Sequence, residues 1–324
     1  MKRILALGAA ALLFATQLAA DPLPSWADTE TKARIVQFVQ RVTDPDSPDY
    51  VFPADRIATF DNDGCLWAEQ PVYFQLIYAL DRLQEKAAAD PSILTSDVLK
   101  AAAAGDMEAM LAGGTDGLIE VLAVSHAGVS VEEFQADVLA WLDAARHPTT
   151  GRPYDRMIYQ PMLELLRYLR AEGFQTWIVS GGGVHFLRAF AAETYGIPPQ
   201  QVIGSAAPTE YRVVDGEPVI FKLPGIEFVD DKVGKPVGID SRIGKRPIFA
   251  AGNSDGDFQM LEYTMAGEGP RFALLVHHTD AEREFAYDRD SHIGKVARGL
   301  DEGPVRGWLI VDMAEDWKTV WPSD

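Results

Sequence analysis

The chain has 324 residues, 47% of them hydrophobic, which is enough for one large core and a smaller accessory unit. Lysine and arginine number 29 against 48 aspartate and glutamate, and the resulting charge of −19 argues against nucleic acid or an anionic membrane as the main partner. Cys65 is the only cysteine, so no intramolecular disulfide is possible, and the six histidines form no metal-binding pattern.

Residues 1–20 read as a secretory signal: Lys2 and Arg3, an apolar run from Ile4 to Phe14, then small residues ending at Ala19-Ala20. The apolar run is short for a span of about 20 residues, so export to the periplasm or medium with cleavage is expected, with no stable membrane association afterwards. Ile35, Phe38, Val39 and Val42 then recur at helical spacing until Asp44-Pro45 interrupts them.

Next, Arg56 to Phe60 reads as a buried strand running into Asp61-Asn62-Asp63-Gly64. At the carboxyl end of a buried strand, two acidic side chains sit in a crevice where a ligand can bind. Two crowded carboxylates repel each other unless a cation intervenes, and oxygen-only donors favour Mg²⁺ over zinc. Cys65, two residues after Asp63, reads as a small apolar filler of the turn rather than as a reactive thiol.

From Pro71 to His147 the pattern is helical. Leu76, Ile77, Leu80 and Leu83 share one face, and Ser130 with Glu133 forms a capping box before Phe134, Val138, Trp141 and Leu142. His126, Trp141, His147, Arg152 and Tyr154 are candidates to face the crevice. Strand–helix alternation then resumes. Pro161 opens a helix that Gly173 stops, and Phe174–Val179 is a strand that ends in Ser180-Gly181-Gly182-Gly183. A hydroxyl and bare amides at a helix start can hold a phosphoryl oxygen, although the same residues also make a plain tight turn. His185, just beyond, is the histidine nearest this chemistry.

Asp215-Gly216 signals a hairpin. Lys235 precedes a short helix closed by Gly244, in competition with Lys232 and Lys245 for a charge-neutralising role. Pro247–Ala251 is a strand leading into Gly252-Asn253-Ser254-Asp255-Gly256-Asp257, with a helix over Phe258–Met265 and strands at Phe272–Val276 and Trp308–Val311. Neither acidic run has the glycine and glutamate positions of an EF-hand loop.

In this order the four stretches resemble the signatures of the haloacid dehalogenase superfamily, over about Arg56 to Val276. By that resemblance Asp61 is the nucleophile, Asp63 the general acid and base, and Ser180 with Gly181, Gly182 and Lys235 holds the phosphoryl group. Mg²⁺ would be bound by Asp61, Asp63, Asn253 and Asp257. Asn253 stands where the fourth signature usually has aspartate, so Asp255 is a candidate to compensate. The helical insertion and the hairpin resemble the phosphoserine-phosphatase-like branch. The implied fold is α/β: a Rossmann-like parallel sheet covered on both faces, with residues 21–67 and 148–324 as core and 68–147 as an inserted helical cap. The implied activity is an exported, Mg²⁺-dependent phosphomonoesterase acting on small phosphorylated metabolites, because Asp63 supplies the second acid that a dehalogenase does not need. The alternatives are a dehalogenase or phosphonatase of the same fold, or a non-catalytic binding protein, which only Asn253 favours.

Overall fold

The computed structural model describes residues 21–323, and the predicted leader lies outside the described residues. Its strands in chain order are β1 (Ile57–Phe60), β2 (Gln175–Gly183), β3 (Val202–Ser205), β4 (Thr209–Val214), β5 (Glu217–Lys222), β6 (Phe249–Gly252), β7 (Phe272–His277) and β8 (Leu309–Asp312). Six of them form a parallel sheet in the order β3-β2-β1-β6-β7-β8, while β4 and β5 pair as a separate antiparallel hairpin. Parallel strands need crossovers, and helices supply them on both faces.

The helices are α1 (Glu30–Thr43), α2 (Phe74–Ala89), α3 (Asp97–Ala104), α4 (Met107–Ala112), α5 (Gly114–His126), α6 (Val131–Ala144), α7 (Gln160–Ala171), α8 (Val184–Tyr195), α9 (Gly234–Ile243), α10 (Phe258–Met265), α11 (Arg298–Glu302) and α12 (Met313–Asp316). Successive residues of a strand face opposite sides. Phe60, Phe249, Leu274 and Val311 therefore join α1, α7 and α8 in one core. Val179, Ala250, Ala273 and Leu275 join α9 and α10 in the other. The α/β class expected from the sequence is the one observed.

Helices α2 to α5 hold a third cluster of their own, built on Leu76, Leu80, Leu83, Leu99, Met110 and Val121. Helix α6, opened by the Ser130–Glu133 capping box, instead buries Phe134, Val138, Trp141 and Leu142 in the main core. The hairpin turns at Asp215 and Gly216, whose φ values of 53° and 90° suit a two-residue loop. Its last residue ties it to the inserted helices: Lys222 N–H donates to Val129 O at 2.9 Å, and Lys222 O accepts from Gly128 N at 3.0 Å.

The glycine run behaves differently from the expected strand end. Strand β2 stays extended through Gly183, with a register shift against β3 between Ser180 and Gly183, and α8 starts at the next residue. Glycines tolerate this bulge because they have no side chain to place.

Candidate active site

Three strand ends meet at the carboxyl edge of the sheet. Beyond β1 the chain folds back on itself, and Asn62 O accepts the N–H groups of Cys65, Leu66 and Trp67 at 3.2, 2.8 and 3.2 Å. Gly64 has φ +75°, and a methyl group on it would collide with Asn253 and Glu69, so no other residue fits this turn. The turn aims Asp61 and Asp63 into one cavity of about 350 Å³ whose far wall comes from the inserted helices and the hairpin. Trp67 Nε1 donates to Asp63 Oδ1 at 2.7 Å, which fixes that carboxyl.

From the first turn of α9, Lys235 reaches the same point and is only 2% exposed. Its Nζ donates to Asp61 Oδ1 at 2.7 Å, Asp257 Oδ1 at 2.6 Å and Val179 O at 2.9 Å. An ammonium has three donors, and all three are used. Burial works against the charge on Lys235, but Asp257 and Asp61 outweigh it and keep the group protonated. Burial first, and the neighbouring Asp257 second, raise the Asp61 carboxyl well above its ordinary range. Burial raises Asp63 as well.

Past β6, Asp257 Oδ2 accepts the N–H groups of Asn253 and Ser254, each at 3.0 Å. Both oxygens of Asp257 are thus engaged. The expectation that it ligates a metal directly meets a carboxyl already holding Lys235 and the turn. Asn253 is fully buried; its Nδ2 donates to Glu69 Oε1 at 2.7 Å, while its Oδ1 has no partner.

On the β2 side, Ser180 Oγ accepts Gly182 N–H at 3.1 Å, and Gly183 N–H is taken by Gln75 Oε1 at 2.7 Å. A Cβ at Gly182 would stand 3.2 Å from Gln75 Oε1, 3.3 Å from Ser180 Oγ and 3.6 Å from Asp63 Oδ2. Glycine leaves that small space free, ringed by polar oxygens. The structure thus brings Asp61, Asp63, Ser180, Gly181, Gly182, Lys235, Asn253 and Asp257 to one edge of the sheet.

The family model of the haloacid dehalogenase-like hydrolases matches residues 58–262, well over half of the chain. The chain belongs to that family. Its fold is also similar to solved structures. A protein of unknown function from Bordetella pertussis Tohama I is 20% identical, with 80% of this chain and 98% of that one covered at a TM-score of 0.52. A conserved, functionally unknown protein from Anaerococcus prevotii DSM 20548 is 17% identical (78% and 86% covered, TM-score 0.49). A phosphoserine phosphohydrolase-like protein from Francisella tularensis subsp. tularensis SCHU S4 is 18% identical (77% and 98% covered, TM-score 0.40). No curated protein matches the sequence.

Within this haloacid dehalogenase-like hydrolase, both oxygens of Asp255 are engaged by the start of α11. Its Oδ2 accepts Ala297 and Arg298 N–H at 3.0 and 3.1 Å, and its Oδ1 accepts Gly299 N–H at 2.9 Å, so it caps α11. Asp255→Ala is expected to cost about 1–2 kcal/mol in urea unfolding through loss of that cap. Titrated with Mg²⁺ in a calorimeter, the variant should behave as the wild type does, and a clear difference would point to Asp255 as a ligand.

The acid the sequence reading missed is Glu69. It is 2% exposed, and its Oε1 accepts from Asn253 Nδ2 and, at 2.8 Å, from Tyr287 O–H. Burial drives its carboxyl well above the usual range, and the charges of Asp63, Asp61 and Asp257 add to the effect. Gly294 approaches so closely that a methyl there would strike Glu69. No motif marks Glu69 in the sequence; only the fold-back at Gly64 delivers it.

Of the five cap-side candidates, His126 lines the cavity, as does His185. Trp141 stacks on Tyr154 in the core, His147 is bonded to Gln70 O at 2.8 Å, and Arg152 lies over the Trp321 ring. Cys65 is fully buried and burial raises its thiol pKa, as suits a turn filler. Lys245 is a surface residue paired with Asp55 at 2.7 Å, and Lys232 is exposed, so Lys235 is the lysine at the site.

Proposed function

We propose that this protein is a phosphomonoesterase that works through a phosphorylated Asp61. The observation that carries the proposal is the second carboxyl, Asp63, held by Trp67 in the same cavity as the Asp61–Lys235 pair. Among the described residues nothing bonds Asp61 Oδ2, so that oxygen is the attacking one. It forms a bond to phosphorus as the bond from phosphorus to the ester oxygen breaks. Asp63, whose carboxyl burial shifts toward holding a proton, gives that proton to the departing alkoxide. Water then attacks the same phosphorus, Asp63 takes its proton, and Asp61 leaves as a carboxylate with release of inorganic phosphate. Ser180 and the Gly181–Gly182 backbone face the phosphoryl oxygens, and Lys235 balances their charge.

A divalent ion is the second part of the proposal. Among the described residues no three His, Cys, Asp or Glu side chains converge as a ready metal cage. What fits an ion is the buried, unpartnered Asn253 Oδ1 beside an oxygen-only donor set. Glu69 binds the amide nitrogen of Asn253, which leaves the carbonyl oxygen as the end presented. Burial works against a negative charge on Glu69, so its part is to orient the amide. Asp61, Asp63 and Asn253 are the residues assigned to hold Mg²⁺, with Asp257 holding Lys235 instead. When bound, the ion would draw charge off the phosphoryl oxygens.

Export is the third part, supported by the apolar leader of residues 1–20; among the described residues no helix is long and apolar enough to cross a membrane. A panel of small phosphomonoesters, run with Mg²⁺ and with EDTA on protein recovered from the exported fraction, tests the whole reading. Phosphate release lost on chelation and restored by Mg²⁺, from a chain beginning at Asp21, is the expected result. Release untouched by EDTA removes the ion, no release removes the phosphatase, and an intact leader removes export.

A further inference from the structure

The cavity is divided by charge. Its acidic lining residues, Asp61, Asp63, Glu69, Asp231 and Asp257, gather at the sheet edge. The opposite end, where the hairpin meets the inserted helices, carries Lys222, His126 and His185. Gln75 stands between the two ends, with Oε1 on Gly183 N–H and Nε2 3.1 Å from His126 Nε2. The walls between are apolar, from Leu118, Leu122, Phe134, Leu223, Ile226 and Val229.

Lys222 is 4% exposed, yet no carboxylate among the described residues lies within ion-pair distance. Its Nζ lies 3.2 Å from His185 Nδ1 and 4.3 Å from the centre of the Phe134 ring. Those contacts use one of its three donors and leave the others without a described acceptor. Lys86, close behind, is different: its Nζ donates to Val124 O, Ser125 O and Ala127 O at 3.1, 2.9 and 3.0 Å. Lys86 is a structural cap with its donors used, whereas Lys222 is a buried cation facing open space. A buried charge is costly unless something pairs with it.

Building on the phosphatase reading, we infer that Lys222 is a specificity residue that binds a second anion, a carboxylate, at the far end of the substrate. The substrate class is then a phosphomonoester of a hydroxy acid, with an apolar body between its two charged ends. Burial pulls the Lys222 pKa down to about 8, so it still carries its proton at neutral pH. Burial and then the charge of Lys222 push His126 down to about 3 and His185 to about 4, which leaves both rings neutral as hydrogen-bonding walls. With the described acids of the cavity confined to the sheet edge, a substrate amine at the Lys222 end would find no carboxylate among the described residues, so amino acid phosphates gain nothing from those residues beyond their carboxyl group.

The test uses two matched pairs: 4-carboxyphenyl against 4-carbamoylphenyl phosphate, and the monophosphates of 4-hydroxybutanoate and 4-hydroxybutanamide. In each pair the members have nearly the same size and differ in the tail charge. At least one pair should favour the acid by about 10- to 100-fold in kcat/KM, as expected for one charge-assisted contact. That ratio should fall toward one in Lys222→Met, or in Lys222→Gln if methionine prevents folding. A wild-type ratio near one in both pairs overturns the inference, and so does a ratio that survives the substitution. Calorimetric binding of the same pairs to Asp61→Asn reads the preference without turnover. Absent hydrolysis with a preserved binding preference would therefore reject the phosphatase and keep the anion site.

Discussion

Asp61→Asn should reduce phosphate release from every ester by roughly 10⁴- to 10⁶-fold, the scale on which a covalent nucleophile is missed. The amide keeps the shape and removes the attacking oxygen's charge. Folding should survive: the variant turns a cluster of two carboxyls around one ammonium into a neutral pair of Lys235 and Asp257, 2.6 Å apart. Burial already disfavours the charged form of Asp61, so little stabilisation is lost with it. Rapid-quench experiments with labelled ester should trap phosphate on Asp61 in the wild type and none in the variant. A folded Asp61→Asn protein with turnover near the wild-type rate would end the assignment.

Lys235→Met is expected to abolish activity and also to destabilise the fold by about 3–5 kcal/mol, since it strands buried carboxyls without their cation. Asp61 and Asp257 have side chains 10% and 0% exposed, so water cannot take over the role of the lysine. Adding Asp257→Asn should restore part of the stability and none of the activity, which separates the two roles of Lys235. The pH dependence has a definite sign. The folded-state pKa of Asp61 lies above its unfolded value, and removing the lysine that lowers it raises it further. The native variant then binds more protons than the unfolded chain through the carboxylate range and above, so its stability falls as pH rises and recovers on acidification. Urea midpoints from pH 5 to 8 read this directly. A flat profile with wild-type stability would show that the buried ion cluster contributes little.

The proposed division of labour between Glu69 and Asn253 bears on how the family signature can vary. Glu69 Oε1 takes the amide N–H of Asn253 and lies against Gly64 and Gly294, where any side chain would collide. An acid that follows the first turn orients the asparagine after β6, and two glycines make room for it.

Local pattern carried far in this protein. Ile35, Phe38, Val39 and Val42 are among the buried residues of α1, Ser130 and Glu133 form their capping box, and Asp215-Gly216 turns the hairpin. These are short-range effects of periodicity, capping and turn chemistry, so a linear chain displays them. The strand-end acids were visible for the same reason. The glycine run after Ser180 was misjudged because glycine signals a turn and a bulged strand equally well, and only pairing with β3 distinguishes them. Asp255 looked like a spare ligand until α11, more than forty residues later, was seen to use both of its oxygens.

From sequence alone came the parallel α/β plan, the family resemblance and the identity of the acids, serine and lysine of the four signatures. Tertiary structure alone decided what those groups face. Glu69 meets Asn253 across 184 residues, and Lys222 meets His185 across 37. Contacts of that span depend on how whole elements pack, and no local spacing encodes them. The acids at one end of the cavity and the unpaired lysine at the other become one site only when the hairpin closes over the inserted helices.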